Sequence, residues 1–178
     1  MKTKIKQWLC FLFGMIVLIV LDQWTKQLAV AKLMGQEPFV LWEGVFEFFY
    51  SENRGAAFGM LQGRQGFFFV VAVVVMAVIG YMMIRMPLTK QYLPLTGCLM
   101  LVGSGALGNM IDRVTQGYVV DFLYFKLINF PIFNVADCYV VVSMFLLVCL
   151  IMFYYKEEDL DVFSWKHKKG EADCSKNL

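Results

Sequence analysis

Three long stretches of the chain carry no charged residue: Gln65 to Ile84, Gln91 to Ile111 and Cys138 to Tyr155. Each is long enough to cross a hydrocarbon core of roughly 30 Å as a helix. A fourth apolar run, Gln7 to Leu21, is interrupted by Asp22, Gln23, Thr25 and Lys26 and resumes at Leu28. No small-x-small cleavage site follows it, so it reads as a span and not as a removable leader. The pattern predicts four transmembrane helices at about residues 7–30, 65–85, 91–111 and 137–155, joined by polar-rich segments at 31–64 and 112–136. In the first segment, Phe39-Val40-Leu41-Trp42 and Val45-Phe46-Glu47-Phe48-Phe49-Tyr50 flank Glu43-Gly44 and predict two short strands about a turn. Their aromatic residues suit a membrane interface, either as substrate contacts or as anchors for the loop.

Composition agrees with the pattern, because 60% hydrophobic residues is too apolar for a soluble domain of this length. Charge orients the spans. Lys2, Lys4 and Lys6, with Arg85 and Lys90, are expected on the cytoplasmic side, which an even number of spans extends to the C-terminus. Residues 1–155 then form one membrane-embedded domain. Residues 156–178, which mix acids with Lys166, His167, Lys168 and Lys169, are expected to be a solvated, charged cytoplasmic tail. A net charge of +2 gives no case for nucleic acid. Cys10, Cys98, Cys138, Cys149 and Cys174 are scattered, without the spacing of a disulfide framework or a zinc site.

With this topology most polar residues of the spans gather at the outer face. Asp22 and Lys26 close the first span, Asn53, Arg54 and Gly55 lie in the first outer segment, and Asn109, Asp112, Arg113, Asp121, Asn134 and Asp137 lie in the second. Ionisable groups at such depth are costly and mark sites or pathways. Asp22 and Lys26, four residues apart on one helix face, can neutralise each other as structural support. Asp112 and Arg113 suit either scaffold or substrate contact. Asp121, within Val119-Val120-Asp121-Phe122, and Asp137, opening the last span, are two carboxyl groups in apolar surroundings. Two such groups brought together share a proton, so one serves as base and the other as acid, which is what peptide hydrolysis by an activated water requires. The only histidine, His167, falls in the tail, so a Ser-His-Asp triad, a Cys-His pair and an HExxH site all lack a member. Gly103-Ser104-Gly105 reads as close helix packing. An ion or proton-coupled carrier and an inactive assembly partner stay open at this point. A carrier needs polar groups through the whole thickness, and the inner halves of spans two to four are nearly free of ionisable residues.

Asn53-Arg54-Gly55-Ala56-Ala57-Phe58, Gly108-Asn109-Met110-Ile111-Asp112-Arg113, Val119-Val120-Asp121-Phe122 and Phe133-Asn134-Val135-Ala136-Asp137 follow one another in the order and setting seen in lipoprotein signal peptidases. The chain resembles this signal peptidase II family over nearly all its length except the tail. The resemblance implies an integral membrane, mainly α fold of four transmembrane helices with a small extracytoplasmic β-rich cradle for substrate. It also implies an aspartic endopeptidase of the bacterial cytoplasmic (inner) membrane, working as a monomer at the outer face without cofactor or metal. Such an enzyme removes signal peptides from prolipoproteins on the N-terminal side of a diacylglyceryl-modified cysteine. By the same resemblance, Asp121 and Asp137 are the catalytic dyad. Asn53, Arg54, Gly55, Asn109, Arg113, Asn134 and Ala136 bind substrate or orient the dyad, and Asp22, Lys26 and Asp112 are supporting polar residues. Membrane lipid and globomycin-type inhibitors are the other expected partners. Ser104, where the family has a glycine, and Cys138, where it has serine or alanine, are departures.

Overall fold

The computed structural model describes residues 2–55 and 63–164. Four helices dominate it: α1 (Lys2–Leu33), α2 (Gln65–Arg85), α3 (Leu93–Gln116) and α4 (Val135–Cys149). All four are long and apolar enough to span a membrane, α4 being prolonged by a wider turn over Leu150–Tyr154. Their outward surfaces carry Phe13, Val70, Val141, Phe145 and Phe153, all exposed, as lipid-facing positions are when their hydrophobic partner is the bilayer.

The helices alternate in direction, so the C-terminal ends of α1 and α3 meet the N-terminal ends of α2 and α4 at one end of the bundle. That end carries a three-stranded antiparallel sheet of order β1-β2-β3, made of β1 (Phe39–Trp42), β2 (Phe46–Asn53) and β3 (Val119–Phe125). Gly44, at φ +71°, sits in the turn between β1 and β2, where a side chain would strain the backbone. The expected hairpin is therefore present, and β3, which the pattern did not mark as a strand, completes the sheet. Ala29 of α1 packs with Val120 and Phe122 of β3, fixing the sheet to the helices.

Two boundaries differ from the expected ones. Asp112 and Arg113 were placed in a segment after the third span, but α3 continues through both to Gln116 and stops only at Gly117, whose left-handed φ of +82° ends the helix. The charges do not end the helix, because Asp112 is buried and paired with Lys26 and Val120 N, and Arg113 donates to Gly55 O. The second difference lies at the opposite end of the bundle. Residues 157–164, expected to be a solvated part of the tail, fold back as a short helix α5 (Glu157–Leu160) and a further turn. Leu160, Val162 and Phe163 add to the core of Phe11, Met15, Ile79, Met83, Leu95 and Leu99. Tyr92 donates to Asp159 O at 2.8 Å, Arg85 Nε to Val162 O at 2.9 Å and Tyr81 to Phe163 O at 3.1 Å. His167 and Cys174 lie outside the described residues.

Helix contacts depend on small residues in α3. A Cβ at Gly103 would meet Met15 at 2.9 Å, and one at Gly105 would come within 2.5 Å of the Ala136 carbonyl oxygen. Ser104 fits the same seam fully buried, its hydroxyl donating to Met100 O at 2.7 Å, so the departure at this position is accommodated within its own helix.

Candidate active site

Asp137 is placed by helix capping. Asn134 is the N-cap of α4, and its side-chain oxygen accepts from Asp137 N at 3.0 Å while Asn134 N donates to Asp137 Oδ2 at 3.1 Å. The reciprocal bond holds the carboxylate over the helix N-terminus, where orphan amides and the helix dipole favour it. Asn109 Nδ2, from α3, donates to the other oxygen, Asp137 Oδ1, at 2.7 Å.

Asp121 is placed by strand register. On β2 the pairing with β3 shifts between Phe48 and Ser51, so that Ser51 lies opposite Asp121 and Asn53 opposite Val119. The extra residue of this bulge reverses which face the rest of β2 presents. Asn53 thereby comes to the face of Asp121 as a diagonal neighbour and donates to Asp121 Oδ2 at 2.9 Å. Asn134 Nδ2 donates to Asp121 Oδ1 at 2.6 Å and to Asn109 Oδ1 at 3.0 Å. A continuous chain of amides thus links the two carboxylates: Asp121 to Asn134, Asn134 to Asn109, Asn109 to Asp137.

Asp121 is almost fully buried. Burial pushes its carboxyl up from the ordinary value to about 7, and repulsion from Asp137 adds to this, while hydrogen bonds from Asn53 and Asn134 and the charge of Lys26 oppose it. A carboxyl that titrates near neutrality beside a second carboxyl can exchange a proton at physiological pH.

Beneath the dyad lies a buried ionic cluster. Lys26 Nζ stands 2.9 Å from Asp22 Oδ2 and 3.0 Å from Asp112 Oδ2, with all three side chains at most 4% exposed. The i, i+4 pair expected of Asp22 and Lys26 is present, and Asp112 joins it from α3. Gln23, which the sequence reading passed over, donates to Asp112 Oδ1 at 2.8 Å and to Gly108 O at 3.2 Å. The signal for it was its place in the polar break of the first span.

The remaining candidates separate by position. Arg113 donates to Gly55 O at 3.1 Å and to Asn109 O at 3.2 Å, and lies over the Phe68 ring at 4.4 Å from its centre. It therefore ties the loop after β2 to α2 and α3. Gly55 N donates to Asn53 Oδ1 at 3.0 Å, which holds the same loop against the Asn53 side chain. Arg54 points away from the dyad network, pairing with Glu52 at 3.1 Å and lying over Tyr118, with a side chain 65% exposed. Ala136, fully buried, acts through its backbone, its N–H donating to Asp22 Oδ1 at 2.9 Å. Lys126, the other base near the segment, is held at 3.0 Å by Glu47. Ala56, Ala57 and Phe58 lie outside the described residues. Among the described residues no group of three or more His, Cys, Asp or Glu side chains is arranged to hold a metal ion.

Residues 14–153 match the family model described as signal peptidase (SPase) II. A lipoprotein signal peptidase of Caldanaerobacter subterraneus is 46% identical over 136 residues, covering 76% of this chain and 90% of that protein. One from Streptococcus thermophilus is 39% identical over 146 residues, covering 82% and 92%. Two solved structures described as bacterial membrane enzymes share the fold. One has a TM-score of 0.69 at 27% identity, covering 90% of this chain and 94% of that one, and the other has 0.70 at 28%, covering 82% and 94%.

Proposed function

This chain belongs to the signal peptidase II family and removes signal peptides from prolipoproteins, and on that premise we propose that it cuts by an aspartic dyad, Asp121 and Asp137. The observation that carries the reading is the amide chain through Asn134 and Asn109 that joins two carboxylates at one end of a membrane bundle. Each carboxylate oxygen of the pair accepts one hydrogen bond from a fixed N–H donor. This orients both groups before substrate arrives, so little reorganisation accompanies the reaction.

In the reaction the ionised member of the pair takes a proton from water as the water oxygen attacks the scissile carbonyl. The protonated member hydrogen-bonds the carbonyl oxygen as negative charge develops there. It then supplies the proton that lets the amine leave, and the pair ends the cycle with one proton, as it began. Burial of Asp121 is what keeps that proton on the pair near neutral pH.

The substrate is a precursor whose cysteine carries a diacylglyceryl group, cut on the N-terminal side of that cysteine. Exposed Phe39, Leu41 and Trp42 of β1 suit a position in the lipid interface beside it. Lys4, Lys6, Arg85 and Lys90 lie at the end of the bundle remote from the dyad, which supports a cytoplasmic position for that end and an outer-face position in the inner membrane for the dyad. The protein is expected to work as a monomer, and globomycin-type peptides are expected to compete at the dyad.

Asp121→Asn and Asp137→Asn each keep the size of the side chain and remove its acid-base function. Each variant is expected to insert and fold normally and to lose cleavage of a diacylglyceryl-modified precursor by at least about a thousandfold. Wild-type turnover by either variant, measured on precursor in detergent micelles, would sink the mechanism. If instead the protein were a carrier, vesicles holding it would show Asp121-dependent flux and precursor processing would not change.

A further inference from the structure

The two aspartates of the dyad belong to elements far apart in sequence, and the hydrogen bonds to the peptide groups just before them show what holds those elements in place. Ala136 N, immediately before Asp137, donates to Asp22 Oδ1 at 2.9 Å. Val120 N, immediately before Asp121, donates to Asp112 Oδ2 at 3.2 Å. The second oxygen of Asp22 and the same oxygen of Asp112 both meet Lys26 Nζ, at 2.9 and 3.0 Å. The third donor of that ammonium goes to Asn109 Oδ1 at 3.0 Å, and Asn109 in turn donates to Asp137. An ammonium has three donors, and all three are used here on groups that lead to the dyad.

We infer that Lys26 is a positioning residue for the dyad: its single buried ammonium ties together the carboxylates that hold the backbone before Asp121 and before Asp137, and so sets both the separation of the pair and the charge it feels. The inference rests on the dyad reading above and goes beyond pairwise neutralisation of Asp22. Lys26 does not touch substrate, being 3% exposed beneath the network. It acts through α4 on one side, through β3 on the other, and through Asn109 between them.

The arrangement has an electrostatic consequence with a definite sign. Asp121 is faced by Asp137 from α4, by Lys26 from α1, and by Arg113 from α3, with the Asn53 and Asn134 amides as direct donors. Asp112, also on α3, and Asp22 of α1 are carboxylates that offset part of the charge of Lys26. A cation nearby favours the ionised form of a carboxyl and an anion disfavours it. Removing Lys26 therefore moves the ionisation of Asp121 to higher pH, and neutralising Asp112 moves it to lower pH.

The test measures kcat and KM against pH for Lys26→Met and Asp112→Asn in detergent micelles, together with the amount of folded protein. For Lys26→Met, kcat is expected to fall about a hundredfold from misplacement of the dyad, with KM nearly unchanged. The limb of its pH profile set by Asp121 is expected to rise by about one unit, and that of Asp112→Asn to move the opposite way. A merely structural lysine predicts something different: less folded protein, with the wild-type pH profile in the fraction that remains active. Unshifted limbs in both variants would overturn the inference. If Lys26→Met does not fold, Asp112→Asn decides alone through the direction of its shift. Asp121→Asn and Asp137→Asn run alongside separate the two ideas. Activity in either of them removes the dyad reading, whereas their inactivity with unshifted limbs in the other two variants removes only the role of Lys26.

Discussion

At the scale of single residues, the proposed chemistry turns on how a carboxyl behaves when water is replaced by amides and another carboxyl. Asp121 titrates near 7 because burial and the charge of Asp137 outweigh the donors Asn53 and Asn134 and the cation Lys26. Repulsion by Asp137 contributes to that value, so it belongs to the pair and not to one residue alone. The proposed reaction needs a proton on the pair for the carbonyl oxygen and the leaving amine. Cleavage is therefore expected to decline as pH rises through about 7, with an upper limb set by the pair, and initial rates on a precursor whose own groups do not titrate there will check it. Much of this residue scale was legible in the chain. Asp121 and Asp137 stood out as acids in apolar surroundings, and Asn134-Val135-Ala136-Asp137 has the three-residue offset of a capping box, a local signal for the start of α4. The link from Asn53 to Asp121 was not legible. It depends on a bulge in β2 that reverses which face the following residues present, and no local propensity of Phe48 to Ser51 announces it.

At the scale of elements, the site exists because α3 and α4 approach closely enough for side chains on both to share one network. Gly105 sets that approach, since a Cβ there would lie 2.5 Å from Ala136 O and 2.7 Å from Val140 Cγ2. Gly108 faces Asp22 in the same way, with a Cβ position 2.6 Å from Asp22 Oδ2. Gly105→Ala is expected to push the start of α4 outward, costing about 1–3 kcal/mol of stability and most of the activity. Gly97 is the control within the same helix, because its Cβ position is open space. Gly97→Ala is expected to be neutral or to stabilise by up to about 1 kcal/mol through helix propensity. Thermal unfolding in micelles beside precursor cleavage distinguishes the two, and equal behaviour of the two variants would refute the packing argument. Small residues in a span advertise some close contact, but they do not say which helix approaches or at what depth.

At the scale of the whole molecule, the two ends of the bundle do different work. One end gathers the buried ionic cluster, the amide chain and the sheet. The other has an apolar core closed by residues 157–164, with Tyr155 stacked on Tyr92 at 5.7 Å and Lys4 donating to Met83 O and Met86 O at the end of α2. That lysine satisfies carbonyls a helix end leaves unpaired. Docking of 157–164 through Tyr92, Arg85 and Tyr81 is remote from the dyad, so it bears on the bundle and not on the chemistry. Tyr92→Phe, which removes the 2.8 Å bond to Asp159 O, is expected to hasten amide exchange over Glu157–Ser164 and to leave the cleavage rate unchanged. Hydrogen exchange read by mass spectrometry, with a parallel rate assay, checks both halves.

By itself the sequence determined that four apolar helices cross a membrane, that a hairpin follows the first, and that the ionisable groups gather at one end. These follow from local rules, since span length, strand alternation and the cost of burying charge are each written in contiguous residues. Only the tertiary structure decided that α3 runs on through Asp112 and Arg113, that 157–164 is part of the packed molecule, that β3 is a strand, and that Lys26 meets both Asp22 and Asp112. Each of these depends on partners distant in the chain. A charge ends a helix or continues it according to whether another element neutralises it, and an apolar residue in a charged tail stays in water or docks according to whether a complementary surface is in reach.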